Sequence, residues 1–238
     1  MMWTTGTEPL YLILADAALE LVPKEIRSHP EIIAYARRRG KDPARILLDK
    51  SFHFHAMSLL KDKHKRGRPD IAHFFLLEAL SSPLNRIGLL RIYLHTYTGE
   101  VIEVEPSTRI PRNYLRFVGL MEQLLSTGRI PPTGPNALMK VVTHGFRSLV
   151  EMLGPDIVVL LDEKGFPSRL KAFADNLTKL MKAGLRVAVV IGGFPHGSFS
   201  SEVLRSVSMA VSLYHSVLET WTVTSRLLAA TELSLGLL

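Results

Sequence analysis

Three apolar runs in the last third of the chain, residues 157–161, 186–191 and 207–213, constrain the fold more than any other feature. The middle run reads Arg-Val-Ala-Val-Val-Ile, with no alternation between polar and apolar positions. A strand of that kind is buried on both faces, which is the condition of a parallel sheet covered by helices. An amphipathic helix is predicted over 167–183, closed by Gly184, and a long one over 218–235. Strands alternating with helices require parallel crossovers and hence an α/β fold. Residues 10–15, Leu-Tyr-Leu-Ile-Leu-Ala, add a further buried strand near the start.

The intervening sequence is more mixed. Helices are predicted over 19–27 and 30–39, the second ending at Gly40, then a short strand over 46–49 and a helix over 51–61. A plainly apolar helix follows over 69–80. Residues 90–97 alternate like a strand and return through Thr98-Gly99-Glu100 into 101–104 as a hairpin. A helix is predicted over 111–125, a proline- and glycine-rich loop over 126–136, and a short helical stretch before the first apolar run.

The 238 residues suffice for one large domain or two small ones, and 47% apolar with 21% charged residues is ordinary for a globular chain. No run of eighteen uncharged apolar residues would span a bilayer, and the first residues lack a basic signal-peptide region. Absence of cysteine excludes disulfides and thiolate chemistry, and the chain reads as intracellular. Net charge is +7, and its placement is informative. From Val187 onward there are two arginines against three glutamates, so the first 186 residues carry +8. A polyanion such as nucleic acid is the natural partner of that field, bound with an affinity that falls with salt.

Within the positive part, Arg109, Arg112 and Arg116 occupy one ten-residue stretch around Pro111. If a helix starts at the proline, Arg112 and Arg116 share a face four residues apart, and Arg109 reaches over the helix start. Planar guanidiniums suit phosphate, though a solvated helix face would use the same residues. Residues 61–68, Lys-Asp-Lys-His-Lys-Arg-Gly-Arg, hold five cations against one acid. Asp70 follows one proline after Arg68. It suits the first turn of a helix electrostatically, and it also stands where a base would be placed beside a bound anion.

The segment 191–199, Ile-Gly-Gly-Phe-Pro-His-Gly-Ser-Phe, follows directly on the middle apolar strand. Ligands bind at the carboxyl ends of parallel strands, and Gly192 and Gly193 let the backbone approach one closely; a plain glycine turn is the alternative. No Lys-Ser/Thr follows Gly197, so this is no phosphate loop, and no G-x-G-x-x-G occurs. The uncharged loop suits a neutral or zwitterionic cofactor. His53, His55 and His64 lack the further ligands a metal site needs. His73 and His196 read as packing or surface residues. No Ser-His-Asp order or G-x-S-x-G supports a hydrolase.

Taken in order, Arg68-Pro69-Asp70-Ile71-Ala72-His73, Leu80-Ser81-Ser82-Pro83-Leu84-Asn85, Arg109-Ile110-Pro111-Arg112 and Arg116-Phe117-x-Gly119-Leu120-Met121 closely resemble the ribosome-biogenesis pseudouridine N1-methyltransferases. Those are S-adenosylmethionine enzymes of the SPOUT class, and the lack of acidic or lysine-rich extensions looks archaeal. The resemblance implies a parallel sheet with helices on both faces and a C-terminal trefoil knot, with an inserted hairpin and helical RNA-binding extension. It implies a single domain over 1–238, the extension within about 50–125 and the knotted cofactor region at about 155–238. It implies a cytoplasmic homodimer that methylates N1 of a pseudouridine in small-subunit rRNA and helps assemble that subunit. No metal is required, because the sulfonium cofactor is itself the electrophile, and no membrane is involved.

By the same resemblance, Gly192, Gly197, Ser198 and Phe199 line the cofactor loop. Leu213, Tyr214, His215, Ser216, Val217 and Leu218 form a second one, and Leu161 closes the adenine side, with Leu160 an equal candidate. The family usually has Pro-Leu where this chain has Val217-Leu218. Arg68, Asp70, Arg109, Arg112 and Arg116 match positions used on RNA, and Asp70 would accept or orient the N1 proton. An rRNA-binding assembly factor without turnover is the alternative function. A DNA-binding regulator lacks a helix-turn-helix signature.

Overall fold

The structure, a computed structural model, describes residues 6–238. Its elements are β1 (Leu10–Ala17), α1 (Pro30–Arg39), α2 (Lys50–Met57), α3 (Pro69–Ser81), α4 (Pro83–Arg86), β2 (Leu90–Thr96), β3 (Glu100–Val104), α5 (Tyr114–Thr127), β4 (Arg129–Ile130), β5 (Met139–His144), α6 (Phe146–Leu153), β6 (Ile157–Pro167), α7 (Leu170–Lys182), β7 (Val187–Gly192), α8 (Ser201–Arg205), β8 (Met209–Ser212) and α9 (Thr220–Leu235). The strands form one eight-stranded sheet in the order β4-β5-β3-β2-β1-β7-β6-β8. From β2 to β8 all neighbours are parallel, whereas β3, β5 and β4 add antiparallel strands beyond β2.

Alternation along β1 divides the core. Leu12 and Leu14 join Phe75 and Leu76 of α3, Phe173 of α7 and Leu227 of α9 on one face. Ile13 and Ala15 join Phe146 and Leu149 of α6 and Val203 of α8 on the other. Both sets are fully buried along the strand, as its unbroken apolar sequence requires. A third apolar cluster, from Val22 and Ile26 to Met57 and Leu60, stabilises the excursion between β1 and α3. No helix among the described residues is long and apolar enough to cross a membrane.

Several predicted elements are replaced. Residues 19–27 are not a helix: Val22 N–H donates to Ile46 O (2.8 Å) and Leu48 N–H to Glu20 O (2.9 Å), leaving one 3-10 turn at Lys24–Ile26. The 46–49 strand is accordingly a single bridge, Leu21 to Leu47. The predicted 51–61 helix is the shorter α2, with non-helical backbone at His53 (φ −127°). Asn113, not Pro111, starts α5: its side chain accepts the Arg116 N–H at 3.1 Å. Arg112 therefore precedes the helix that carries Arg116. The stretch before β6 contains β5 as well as a helix, and β6 extends well past Leu161 through an irregularity in its pairing with β8.

Candidate cofactor crevice and RNA face

The glycine loop leaves the end of β7 where backbone must pass very close to backbone. Gly193 N–H donates to Ala15 O, and Gly193 O accepts from Ala18 N–H, both at 2.8 Å. A Cβ on Gly193 would stand 2.7 Å from Ala17 Cα, so only glycine fits. At Gly192 a Cβ would meet the rings of Phe194 and Phe199 at 3.2 Å. Those rings pack edge to face at 5.1 Å and cover the loop from one side. From the other, Thr220 Oγ1 at the start of α9 donates to Gly192 O at 2.7 Å.

The middle of β6 and the loops after β7 and β8 thus converge. They enclose a cavity of about 200 Å³ whose lining includes Leu161, Gly192, Gly197, Ser198, Phe199, Val217 and Leu218. A smaller adjoining cavity of about 80 Å³ is lined by Leu161, Leu213, Tyr214, Ser216, Val217 and Leu218, among others. His215 lines neither. Leu161 borders both, while Leu160 is turned into the core on the opposite face. Sequence reasoning missed Asp162 and Glu163, which line both cavities. Their position directly after the buried apolar run of β6, where the strand becomes exposed, was the available signal.

The start of α3 is tied to this crevice through one residue. Arg68 N–H donates to Ala18 O at 3.2 Å, and Ala18 N–H holds Gly193. Pro69 occupies the first helical position and Asp70 the first turn. Arg68 Nε and Nη2 each donate to one carboxylate oxygen of Asp70 at 2.8 Å, a bidentate pair with both side chains about a third exposed. That hydrogen bonding raises the Arg68 pKa against the opposing effect of burial. Two residues expected to act separately on RNA therefore hold each other in the free protein.

The basic run before them is dispersed by the fold. Arg66 turns inward and donates twice to Glu20, at 2.7 and 2.6 Å, so it is withdrawn from the surface. Burial nevertheless keeps the Glu20 pKa above its ordinary value. Lys65 lies over the Phe194 ring, its Nζ 4.8 Å from the centroid, and a Cβ on Gly197 would approach Lys65 and His64 to 3.0 and 3.2 Å. The basic loop consequently borders the glycine loop.

Arg109, Arg112 and Arg116 are exposed, and none enters a salt bridge among the described residues. Their segment is fastened to α3 by His73, whose Nε2 donates to Pro111 O at 2.7 Å and whose ring stacks on Phe117 with centroids 4.3 Å apart. His73 is thus a packing residue one turn beyond Asp70. Of the remaining histidines, His53 is buried and accepts the Asp49 N–H, and His55 faces Glu31 at 3.3 Å. No group of three metal-ligating side chains occurs among the described residues.

Comparison with known proteins agrees along nearly the whole chain. The sequence pattern of the EMG1/NEP1 methyltransferase family matches residues 12–232. A protein of Staphylothermus marinus described as "Ribosomal RNA small subunit methyltransferase Nep1" is 49% identical over 225 residues, covering 94% of this chain and 96% of that one. The protein of the same description from Pyrobaculum arsenaticum is 47% identical over 230 residues, covering 96% and 100%. The crystal structure of Archaeoglobus fulgidus Nep1 bound to S-adenosylhomocysteine superposes with a TM-score of 0.82 at 42% identity, covering 96% of this chain and 98% of its own.

Proposed function

The chain belongs to the EMG1/NEP1 methyltransferase family, and from that premise we propose that it methylates N1 of a pseudouridine in small-subunit ribosomal RNA, using S-adenosylmethionine. It is a methyltransferase of small-subunit rRNA, active in the biogenesis of that subunit. The single observation supporting the finer reading is the Gly193–Ala18–Arg68 chain of backbone hydrogen bonds, which ties the start of α3, where Arg68 pairs with Asp70, to the glycine loop of the crevice.

The crevice residues fit the cofactor. Leu161, Ile191, Leu218 and Val223 offer apolar walls, and Gly192 and Gly197 add lining without side chains that leaves room for an adenosine. Asp162 and Glu163 stand against a single lysine, Lys164, which suits a cationic ligand and opposes a polyphosphate. When bound, S-adenosylmethionine supplies an electrophilic methyl group on its sulfonium.

The chain's own residues supply position and proton transfer. Arg109, Arg112 and Arg116 hold phosphates flanking the target while its base is turned out of the RNA stack. Arg68 engages a phosphate as well, which loosens its pair with Asp70. The freed Asp70 carboxylate then accepts or orients the N1 proton, since pseudouridine N1 is a weak nucleophile until that proton leaves. In-line transfer makes alignment of base and methyl donor a large part of the rate. The protein acts as a cytoplasmic homodimer with its C-terminal loops knotted around the cofactor. Its RNA-binding extension lies within about residues 50–125 and the cofactor region at about 155–238, in one domain.

The bidentate Arg68–Asp70 pair also favours a second reading, an rRNA-binding assembly factor without turnover, because it occupies both carboxylate oxygens. One experiment separates them. Two RNA hairpins, identical except for pseudouridine or uridine at one position, are incubated with protein and S-adenosylmethionine and weighed by mass spectrometry. Gain of one methyl by the pseudouridine hairpin alone supports the enzyme. RNA binding with no mass change on either hairpin supports the assembly factor.

A further inference from the structure

At the end of β1 the chain makes a turn that carries a side chain where glycine would be expected. Asp16 has φ +50°, the left-handed region, and is only 5% exposed. A residue with a Cβ is held in that region only when its surroundings compensate. The compensation here is specific. Asp16 Oδ2 accepts the Ser200 N–H at 2.5 Å, across 184 residues of sequence. The Asp16 N–H in turn donates to His95 Nδ1 at 3.3 Å, inside the sheet end.

Ser200 closes the loop that lines the crevice. It follows Ser198 and Phe199 directly and caps α8, its Oγ accepting the Val203 N–H at 3.4 Å. The opposite end of that loop is Gly193, fixed by Ala15 and Ala18. Ala15 and Ala18, one on each side of Asp16, therefore secure the beginning of the cofactor loop through backbone, and the Asp16 carboxylate secures its end. Ala17 O accepts the Tyr97 N–H at 2.8 Å, which anchors the same turn to β2.

We propose that Asp16 is a positioning residue for methyl-donor binding: its carboxylate fixes the Ser198–Ser200 segment in the conformation that receives S-adenosylmethionine, and its left-handed backbone is what aims that carboxylate. Asp16 touches neither cavity; it acts through Ser200. The inference rests on the crevice being the S-adenosylmethionine site.

The test compares two substitutions in the full-length protein. Asp16→Gly keeps the backbone conformation and removes the carboxylate. Asp16→Asn keeps an acceptor oxygen and tolerates the left-handed region. Asp16→Gly should weaken S-adenosylmethionine binding, and raise the KM for it, about tenfold or more, as expected for loss of a charge-assisted hydrogen bond. Turnover at saturating cofactor and affinity for the RNA hairpin should stay within about threefold. Asp16→Asn should recover most of the cofactor affinity. In the wild-type protein without cofactor, the Ser200 amide should exchange with deuterium as slowly as the amides of β7.

Unchanged cofactor affinity in Asp16→Gly overturns the proposal, as does equal loss of cofactor and RNA affinity. Should Asp16→Gly fail to fold, the wild-type exchange rate decides: a rapidly exchanging Ser200 amide overturns it. Wild-type protein that binds no S-adenosylmethionine would overturn the cofactor assignment itself, and this inference with it.

Discussion

The glycine-lined crevice and the arginine face are built from different parts of the amino acid. Around Gly192 and Gly193 the determinants are backbone positions: hydrogen bonds to Ala15 and Ala18, a Cβ that cannot be accommodated, and apolar walls. Across Arg109, Arg112 and Arg116 they are side-chain charges on exposed stems, held at their base by His73 and Asn113. A backbone site tolerates changes of side chain and fails when chain cannot approach chain. A guanidinium face tolerates changes of backbone neighbour and fails when charge is lost or screened. Arg68 links the two: its guanidinium pairs with Asp70, and its backbone N–H reaches Ala18, which in turn holds Gly193.

Substitutions can break this contrast at graded cost. The largest effect is expected at the junction. Asp70→Asn should lower turnover by about 10²–10⁴-fold, the worth of a positioned base, while S-adenosylmethionine affinity stays within about twofold. Comparable turnover in the variant would move the chemistry away from the junction. Gly193→Ala should come next. Its Cβ meets the Ala17 backbone at 2.7 Å and the buried Leu14 side chain at 2.8 Å, and overpacking of about 1–3 kcal/mol, taken up by displacement of the loop, corresponds to roughly 5- to 150-fold weaker cofactor binding. Calorimetry with cofactor and with RNA should find the loss in the first titration only.

Arg112→Ala and Arg116→Ala should each do the reverse, weakening RNA binding by about 1 kcal/mol and reducing its salt slope by about 0.7–1, with cofactor binding untouched. The smallest effect is on stability. Burial holds His53, beneath the basic excursion, and His95, beside Asp16, below their ordinary pKa of 6.5. Below that pH the unfolded chain takes up protons that the folded chain refuses, so the stabilisation present above about pH 6.5 is lost as pH falls. Thermal midpoints measured from pH 8 down to 5 should decline in the lower half of the range. His53→Gln should flatten part of that decline without altering cofactor affinity.

The same division governs what could be read from sequence. Apolar runs at 157–161 and 186–191 locate β6 and β7, because strands buried on both faces leave an unmistakable composition. The glycine loop and its crevice follow from their position at a strand end. Strand β5 was missed since it lies in the outer antiparallel part of the sheet and is mostly half-exposed, which gives Met-Lys-Val-Val-Thr-His no clear alternation. The helix predicted over 19–27 does not form. Long-range pairing with 46–48 and the Glu20–Arg66 ion pair outweighed the local preference for one. Whether a charged residue faces a partner or solvent is likewise set by tertiary contacts, which is why the count of cations in 61–68 does not show that Arg66 is turned inward to Glu20. The start of α5 was misjudged by three residues, because Asn113 offers a capping oxygen and Pro111 only a compatible φ.

The most direct test of this division is one protein titrated twice across salt. Affinities for S-adenosylmethionine and for the pseudouridine hairpin are measured between about 50 and 500 mM KCl, a range over which exposed charges become screened. With three free arginines and Arg68 on phosphates, log affinity for RNA should fall against log salt with a slope of about −2 to −4, while cofactor affinity stays within about twofold. A flat RNA response, or a cofactor response as steep as that of RNA, would contradict it.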